Sequence, residues 1–123
     1  MSNGPPAEPP PVEWFASGTI APTKLDGYLL STTHPEGRHK ARLWHSVFGL
    51  SRGDGQILEQ LIREYLHQAT PVEKIRTKVR RWELVIPRFR GPNGNEGPVL
   101  TAWALAPRNK RPHLTTAYPI VDS

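Results

Sequence analysis

The apolar residues of this chain change their period at Pro71. Over residues 38–48, Ala41, Trp44, Val47 and Phe48 recur at spacings of three and four, the stripe of an amphipathic helix, and Gly49 is a natural stop. Ser51 with Asp54 three positions later reads as a capping box. A second helix follows, with Leu58, Leu61, Ile62, Tyr65 and Ala69 on one face, until Pro71 ends it. Beyond that point the period falls to two. Trp82, Leu84 and Ile86 alternate with Arg81, Glu83 and Val85, and the run Gly91, Pro92, Asn93, Gly94 is turn chemistry. Residues 99–105 and 114–121 read as further strands, separated by a basic turn over 107–112. Helices first and strands afterwards predict an α+β fold. Two N-terminal helices should pack on one face of a curved antiparallel sheet of three to four strands.

The chain's 123 residues suit one domain. Five of its fourteen prolines (Pro5, Pro6, Pro9, Pro10 and Pro11) fall in the first twelve residues, so residues 1–11 read as a disordered lead and 12–123 as one compact domain. Val12, Trp14, Phe15 and Ile20 are positioned to fasten the next stretch to the core, and Leu25, Tyr28, Leu29 and Leu30 form a short apolar run. Pro35 biases His34 toward an extended backbone, which places His34 on a turn. No apolar run approaches the roughly 18 residues of a membrane span. Without cysteine there is no disulfide, thiolate metal site or cysteine nucleophile.

Charge is distributed unevenly. Residues 1–69 carry 6 Lys/Arg against 7 Asp/Glu, whereas residues 70–111 carry 10 against 3. Lys74, Arg76, Lys78, Arg80, Arg81, Arg88 and Arg90 face only Glu83 within their own stretch. Such asymmetry points to a polyanionic partner. If Trp82, Leu84, Ile86, Leu100, Ala102 and Ala104 face the helices, alternation sends Arg81, Glu83, Thr101 and Trp103 to the open sheet face. On the third strand Leu114, Thr116, Tyr118 and Ile120 share one face, Thr115 and Ala117 the other. An open face of this kind can hold a nucleic-acid strand, with Arg80, Arg81, Arg88 and Arg90 on phosphates and Trp103 as a stacking surface.

Two residues break their local pattern. Lys40 lies at the edge of the first helix's apolar stripe, one turn before Trp44, where a lysine must snorkel, pair with a carboxylate or reach a ligand. His34 stands just before that helix and carries a group suited to proton transfer near neutral pH. His34, His39 and His45 are separated by 5 and 6, not the helical 3 or 4 that aligns metal ligands. There is no glycine-rich phosphate loop, nucleophile elbow or paired acidic cluster, so the expected chemistry uses neither metal nor cofactor.

Three blocks occur in order: Lys24, Leu25, Asp26, Gly27, Tyr28, Leu29, Leu30; then His34, Pro35, Glu36, Gly37, Arg38, His39, Lys40, Ala41; then Leu114, Thr115, Thr116, Ala117, Tyr118, Pro119. Over about residues 22–120 the chain resembles an uncharacterised small bacterial domain family that also stands at the C-termini of toxin-like chains. The matching positions are Lys24, His34, Lys40, Thr116 and Tyr118. Leu43 and Trp44 stand where that family has phenylalanines, and the basic stretch over 74–90 is richer than the family requires. More distantly, two helices followed by a curved sheet is similar to the barnase–EndoU–colicin–RelE group of metal-independent ribonucleases. The resemblance implies a toxin-like endoribonuclease acting through 2′-OH attack to a 2′,3′-cyclic phosphate. His34 or Glu83 would be the base, Lys40 and Arg81 would stabilise charge, and Thr116 and Tyr118 would orient the phosphate. RNA would bind at Lys24 and the arginines, and an acidic antitoxin or immunity protein would be the partner. The site of action would be a cytoplasm, reached as a resident protein or as a delivered effector. The alternative is a non-catalytic module that binds nucleic acid or an acidic partner, and so an antitoxin-like or accessory protein.

Overall fold

The computed structural model describes residues 10–74, 79–105 and 110–121. Most of the proline-rich lead, Arg76, Lys78 and much of the second basic turn lie outside the described residues. The fold is α+β with a four-stranded antiparallel sheet in the order β1 (Val72–Lys74), β2 (Arg80–Arg90), β3 (Glu96–Leu105) and β4 (His113–Pro119). Helices α1 (Val12–Ala16), α2 (Pro22–Lys24), α3 (Arg38–Phe48) and α4 (Gly55–Tyr65) precede it, with short helical turns at Leu25–Leu29 and Leu66–Gln68. Of the two helices expected to lie together on one sheet face, α3 meets the sheet mainly at β4 and α4 mainly at β2. Among the described residues no helix is long and apolar enough to cross a membrane.

The helix α3 runs over the residues its periodicity dictates, burying Ala41, Trp44 and Phe48, and Gly49 closes it at a φ of 75°. That left-handed conformation suits glycine. The capping box is only half formed. Asp54 Oδ2 accepts the Ser51 N–H at 2.9 Å, but Ser51 does not cap: Asp54 itself stands at the N-cap, and α4 starts at Gly55, later than a cap at Ser51 implies. The N–H groups of Gly53 and Gly55 are met instead by Asp26 Oδ1, at 2.8 and 3.1 Å. One core then joins Phe15, Leu29, Trp44, Phe48, Leu58 and Ile62 to Trp82, Ile86, Phe89 and Trp103. Each buried aromatic removes about 150–250 Å2 from water, which dominates the energetics of so small a core.

The phase of β3 is opposite to the expected one. Antiparallel partners share a face, and Trp82 pairs with Trp103, Leu84 with Thr101 and Ile86 with Val99. Thr101 and Trp103 are therefore fully buried against the helices, and Leu100, Ala102 and Ala104 take the open side with Val85, Glu83 and Arg81. Thr101 tolerates burial because its hydroxyl donates to the Leu84 carbonyl at 2.8 Å and accepts the Trp103 indole N–H at 2.9 Å. Trp103 is thus a core residue and offers no stacking surface to a nucleic acid. On β4 a bulge adds one residue, since Ala102 pairs with Thr116 but Trp103 with Leu114. Leu114 and Ala117 consequently both face the core, while Thr116 and Tyr118 share the other side.

Both margins of the sheet are occupied. The Trp44 indole N–H donates to the Ala117 carbonyl of β4 at 3.2 Å, and Thr19 forms a parallel bridge with His113. On the far side, the Gln68 side-chain amide bonds both the N–H and the carbonyl of Arg88, at 2.9 and 3.2 Å.

Candidate functional site

The helix α2 starts with Pro22 and runs into a wider turn, which Leu30 closes by donating its N–H to the Leu25 carbonyl at 2.9 Å. This five-residue spacing is a π-type turn, a geometry frequent at functional sites. It buries Leu25 and Leu29 while leaving Tyr28 half-buried at the surface. Gly37 packs beneath, where a Cβ would collide with the Tyr28 carbonyl. Around the Tyr28 ring stand Lys24 Nζ at 5.2 Å, Lys40 Nζ at 5.4 Å and the His34 ring at a centroid distance of 4.9 Å, edge-on. Lys40 Nζ also lies 5.7 Å from the centre of the Tyr118 ring.

Two ammonium groups thus share one aromatic ring, and among the described residues neither lysine forms an ion pair. Each cation–ring contact contributes about 0.5–1 kcal/mol at a surface site, which does not neutralise the charge. A bound anion would. His34 Nδ1 accepts the N–H groups of Glu36 and Gly37 at 3.0 and 3.1 Å, so its lone pair is used within the turn. The neutral ring then carries its proton on Nε2 and presents a donor, not a base, to a ligand. On β4, Thr116 Oγ1 is buried without a hydrogen-bond partner among the described residues, two residues from Tyr118 on the same side.

A family model for a domain of unknown function, DUF6883, matches residues 15–121. The chain belongs to the DUF6883 family. No curated protein and no solved structure matches the chain. All three blocks that carried the family resemblance lie inside the DUF6883 match, and they meet in space at Tyr28 and Tyr118.

Within this DUF6883 domain the structure brings together Lys24, His34, Lys40 and Tyr118. Tyr28 is the member that the sequence does not single out: it reads there as part of a short apolar run, although its place in the first block marks it. Thr116 borders the group along β4, in one cross-strand row with Ala102 and Glu83. At about 4.8 Å per strand, Glu83 stands about 10 Å from Thr116. Arg81 is on that same face and donates to Thr115 Oγ1 at 3.4 Å, beside a small hollow lined with Lys74, Glu83 and Ala102.

Within the basic stretch Lys74, Arg80 and Arg88 are paired with carboxylates. Arg80 donates twice to Glu73, at 3.1 Å each, and its guanidinium lies 4.8 Å above the Trp82 ring. That hydrogen-bonded pairing holds the Glu73 carboxyl below its ordinary value and pushes Arg80 up. Lys74 lies 3.8 Å from Glu83, and Arg88 bonds Glu96 at 3.1 Å. Arg90 is exposed at the end of β2. Among the described residues no three His, Asp or Glu side chains gather so as to hold a metal ion.

Proposed function

We propose that this domain is a metal-independent endoribonuclease of toxin-like character. The observation that carries the reading is the convergence of Lys24, Lys40 and His34 on Tyr28, with Tyr118 adjoining, which makes a cationic, donor-rich site suited to a phosphodiester. Lys24 and the His34 Nε2–H bind the non-bridging oxygens, and the Thr116 hydroxyl and Tyr118 orient the phosphate from the sheet side. Glu83, the carboxylate in the row of Thr116, accepts the proton of the ribose 2′-OH as that oxygen attacks phosphorus. The bond from phosphorus to the 5′-oxygen breaks, and the leaving oxygen takes a proton from the Lys40 ammonium. The products are a 2′,3′-cyclic phosphate and a 5′-hydroxyl. Arg81 supports the charge on the same face, and removing one such electrostatic contact costs about 2.7–4 kcal/mol. RNA in a bacterial cytoplasm is the substrate, and an acidic antitoxin or immunity protein is the restraining partner.

A second reading, a non-catalytic module binding RNA or an acidic partner, is favoured by one observation: the His34 lone pair is committed to its own turn. Incubation with total bacterial RNA in EDTA separates the two, comparing the native chain with Lys40→Ala and Glu83→Gln. Cleavage by the native chain that both variants lose supports the ribonuclease. Salt-sensitive binding without cleavage selects the module, and cleavage only after Mg2+ is added overturns the mechanism.

A further inference from the structure

A groove of about 570 Å3 opens beside the Tyr28 cluster, at the start of β4. Lys24, Lys110, Arg111 and His113 line it with Ala21 and Leu114, and among the described residues no carboxylate lines it. Its floor is fixed, because Thr19 donates its N–H to the Pro112 carbonyl and accepts from the Leu114 N–H, both at 2.9 Å. Lys110 and Arg111 are exposed, and sequence reasoning credited their segment only as a basic turn. Concave walls of one charge sign focus an attractive field on an anion, and a volume of about 300–1,000 Å3 is that of a ligand site. Lys24 belongs to both places: it lines the groove and reaches over the Tyr28 ring.

We infer that the groove is a second phosphodiester subsite, which takes the neighbouring phosphate of the single RNA strand whose first phosphate lies at the Tyr28 cluster. The inference rests on reading the Tyr28 cluster as an RNA phosphate site. A single strand fits because its backbone can bend from the cluster into a concave groove past one shared lysine, as a stiff duplex cannot.

The test uses the full chain and a 2′-O-methyl hexanucleotide, which cannot be cleaved by 2′-OH attack, with binding read by fluorescence anisotropy across a salt series. The double variant Lys110→Ala, Arg111→Ala should bind it about tenfold more weakly, and its slope of log affinity against log salt should fall by about 0.7, the value for one single-strand phosphate contact. Binding of a dinucleotide, which has one phosphate, should not change. Arg42→Ala with Arg52→Ala removes the same charge from exposed positions elsewhere and should leave both affinities as they are. Equal losses from the two pairs, no loss from the first pair, or competition by polyglutamate without hexanucleotide binding would overturn the subsite. If the native chain cleaves no RNA yet the difference between the pairs stands, the subsite holds and only the catalytic reading falls.

Discussion

Asp26 Oδ1 accepts the backbone N–H of Gly55, 29 positions further along the chain, at 3.1 Å. A second bond from the Gly53 N–H, at 2.8 Å, reaches the same oxygen. One carboxylate therefore serves the start of α4, where the helix dipole also favours negative charge, and anchors the turn that presents Lys24 and Tyr28. Asp26→Ala should cost about 1–3 kcal/mol in a denaturant titration, the range for leaving partly buried donors unmet. It should also weaken RNA binding, although Asp26 does not face the cluster. Asp26→Asn, which keeps an acceptor oxygen, should recover part of both losses.

Thr101→Val removes a hydroxyl that is both donor and acceptor in the core. The Trp103 indole N–H and the Leu84 carbonyl lose that side-chain partner, at a cost of about 1–3 kcal/mol in unfolding free energy. A neutral result would mean that Trp103 finds another acceptor.

His34 gives a cleaner separation of roles. His34→Asn supplies a carbonyl oxygen able to accept the N–H groups of Glu36 and Gly37 as Nδ1 does. Its unfolding midpoint should stay near the native value while RNA cleavage falls by about 100-fold or more, the loss of one electrostatic donor. If His34 only caps its turn, Asn will restore cleavage as well, and the histidine leaves the mechanism.

Lys40→Ala should lower cleavage by about 100- to 1,000-fold. Its effect on stability should stay within about 2 kcal/mol, the upper worth of its two contacts over Tyr28 and Tyr118. Single-turnover kinetics and thermal unfolding on the same preparation check both numbers.

The Glu73–Arg80 pair sets a pH dependence at the β1–β2 edge. Glu73 has its carboxyl held below the ordinary value, chiefly by its hydrogen bond to Arg80, so the folded state binds that proton less readily than the unfolded chain. Its stabilising contribution is complete above the unfolded value of about 4.3 and is lost as pH falls through the lower folded value. Both side chains are substantially exposed, so the difference between native and Glu73→Gln should stay within about 1 kcal/mol and shrink with salt. Unfolding midpoints of the two proteins should converge below that window.

The sequence carried α3 to the residue, because a helix contacting the core on one stripe writes its burial into a local period. It also brought out Lys24, His34, Lys40 and Tyr118 through three blocks kept in order. The facing of β3 was not legible, because alanines at 102 and 104 looked apolar enough to face inward while Thr101 looked polar enough to face out. Only the register with Trp82 and Leu84, a contact between distant segments, reverses that choice. The β4 bulge is similarly non-local, and one inserted residue undoes strict alternation. The ion pairing of the basic stretch was not legible for a third reason: Glu73 and Glu96 flank it in sequence but meet Arg80 and Arg88 across strands.

Gln68 acts toward Arg88 as one residue of an adjoining strand would, giving and taking one hydrogen bond. With Trp44 and Thr19 occupying the other margin, the sheet ends in side chains and short bridges instead of a bare ladder of amides. Among the described residues the strip left along Val72–Lys74 is three residues, shorter than the usual strand of about five or six. A protein that inhibits this domain would then have to grip it by surface shape and charge, and inhibitors designed as added strands would find too little backbone to zip onto.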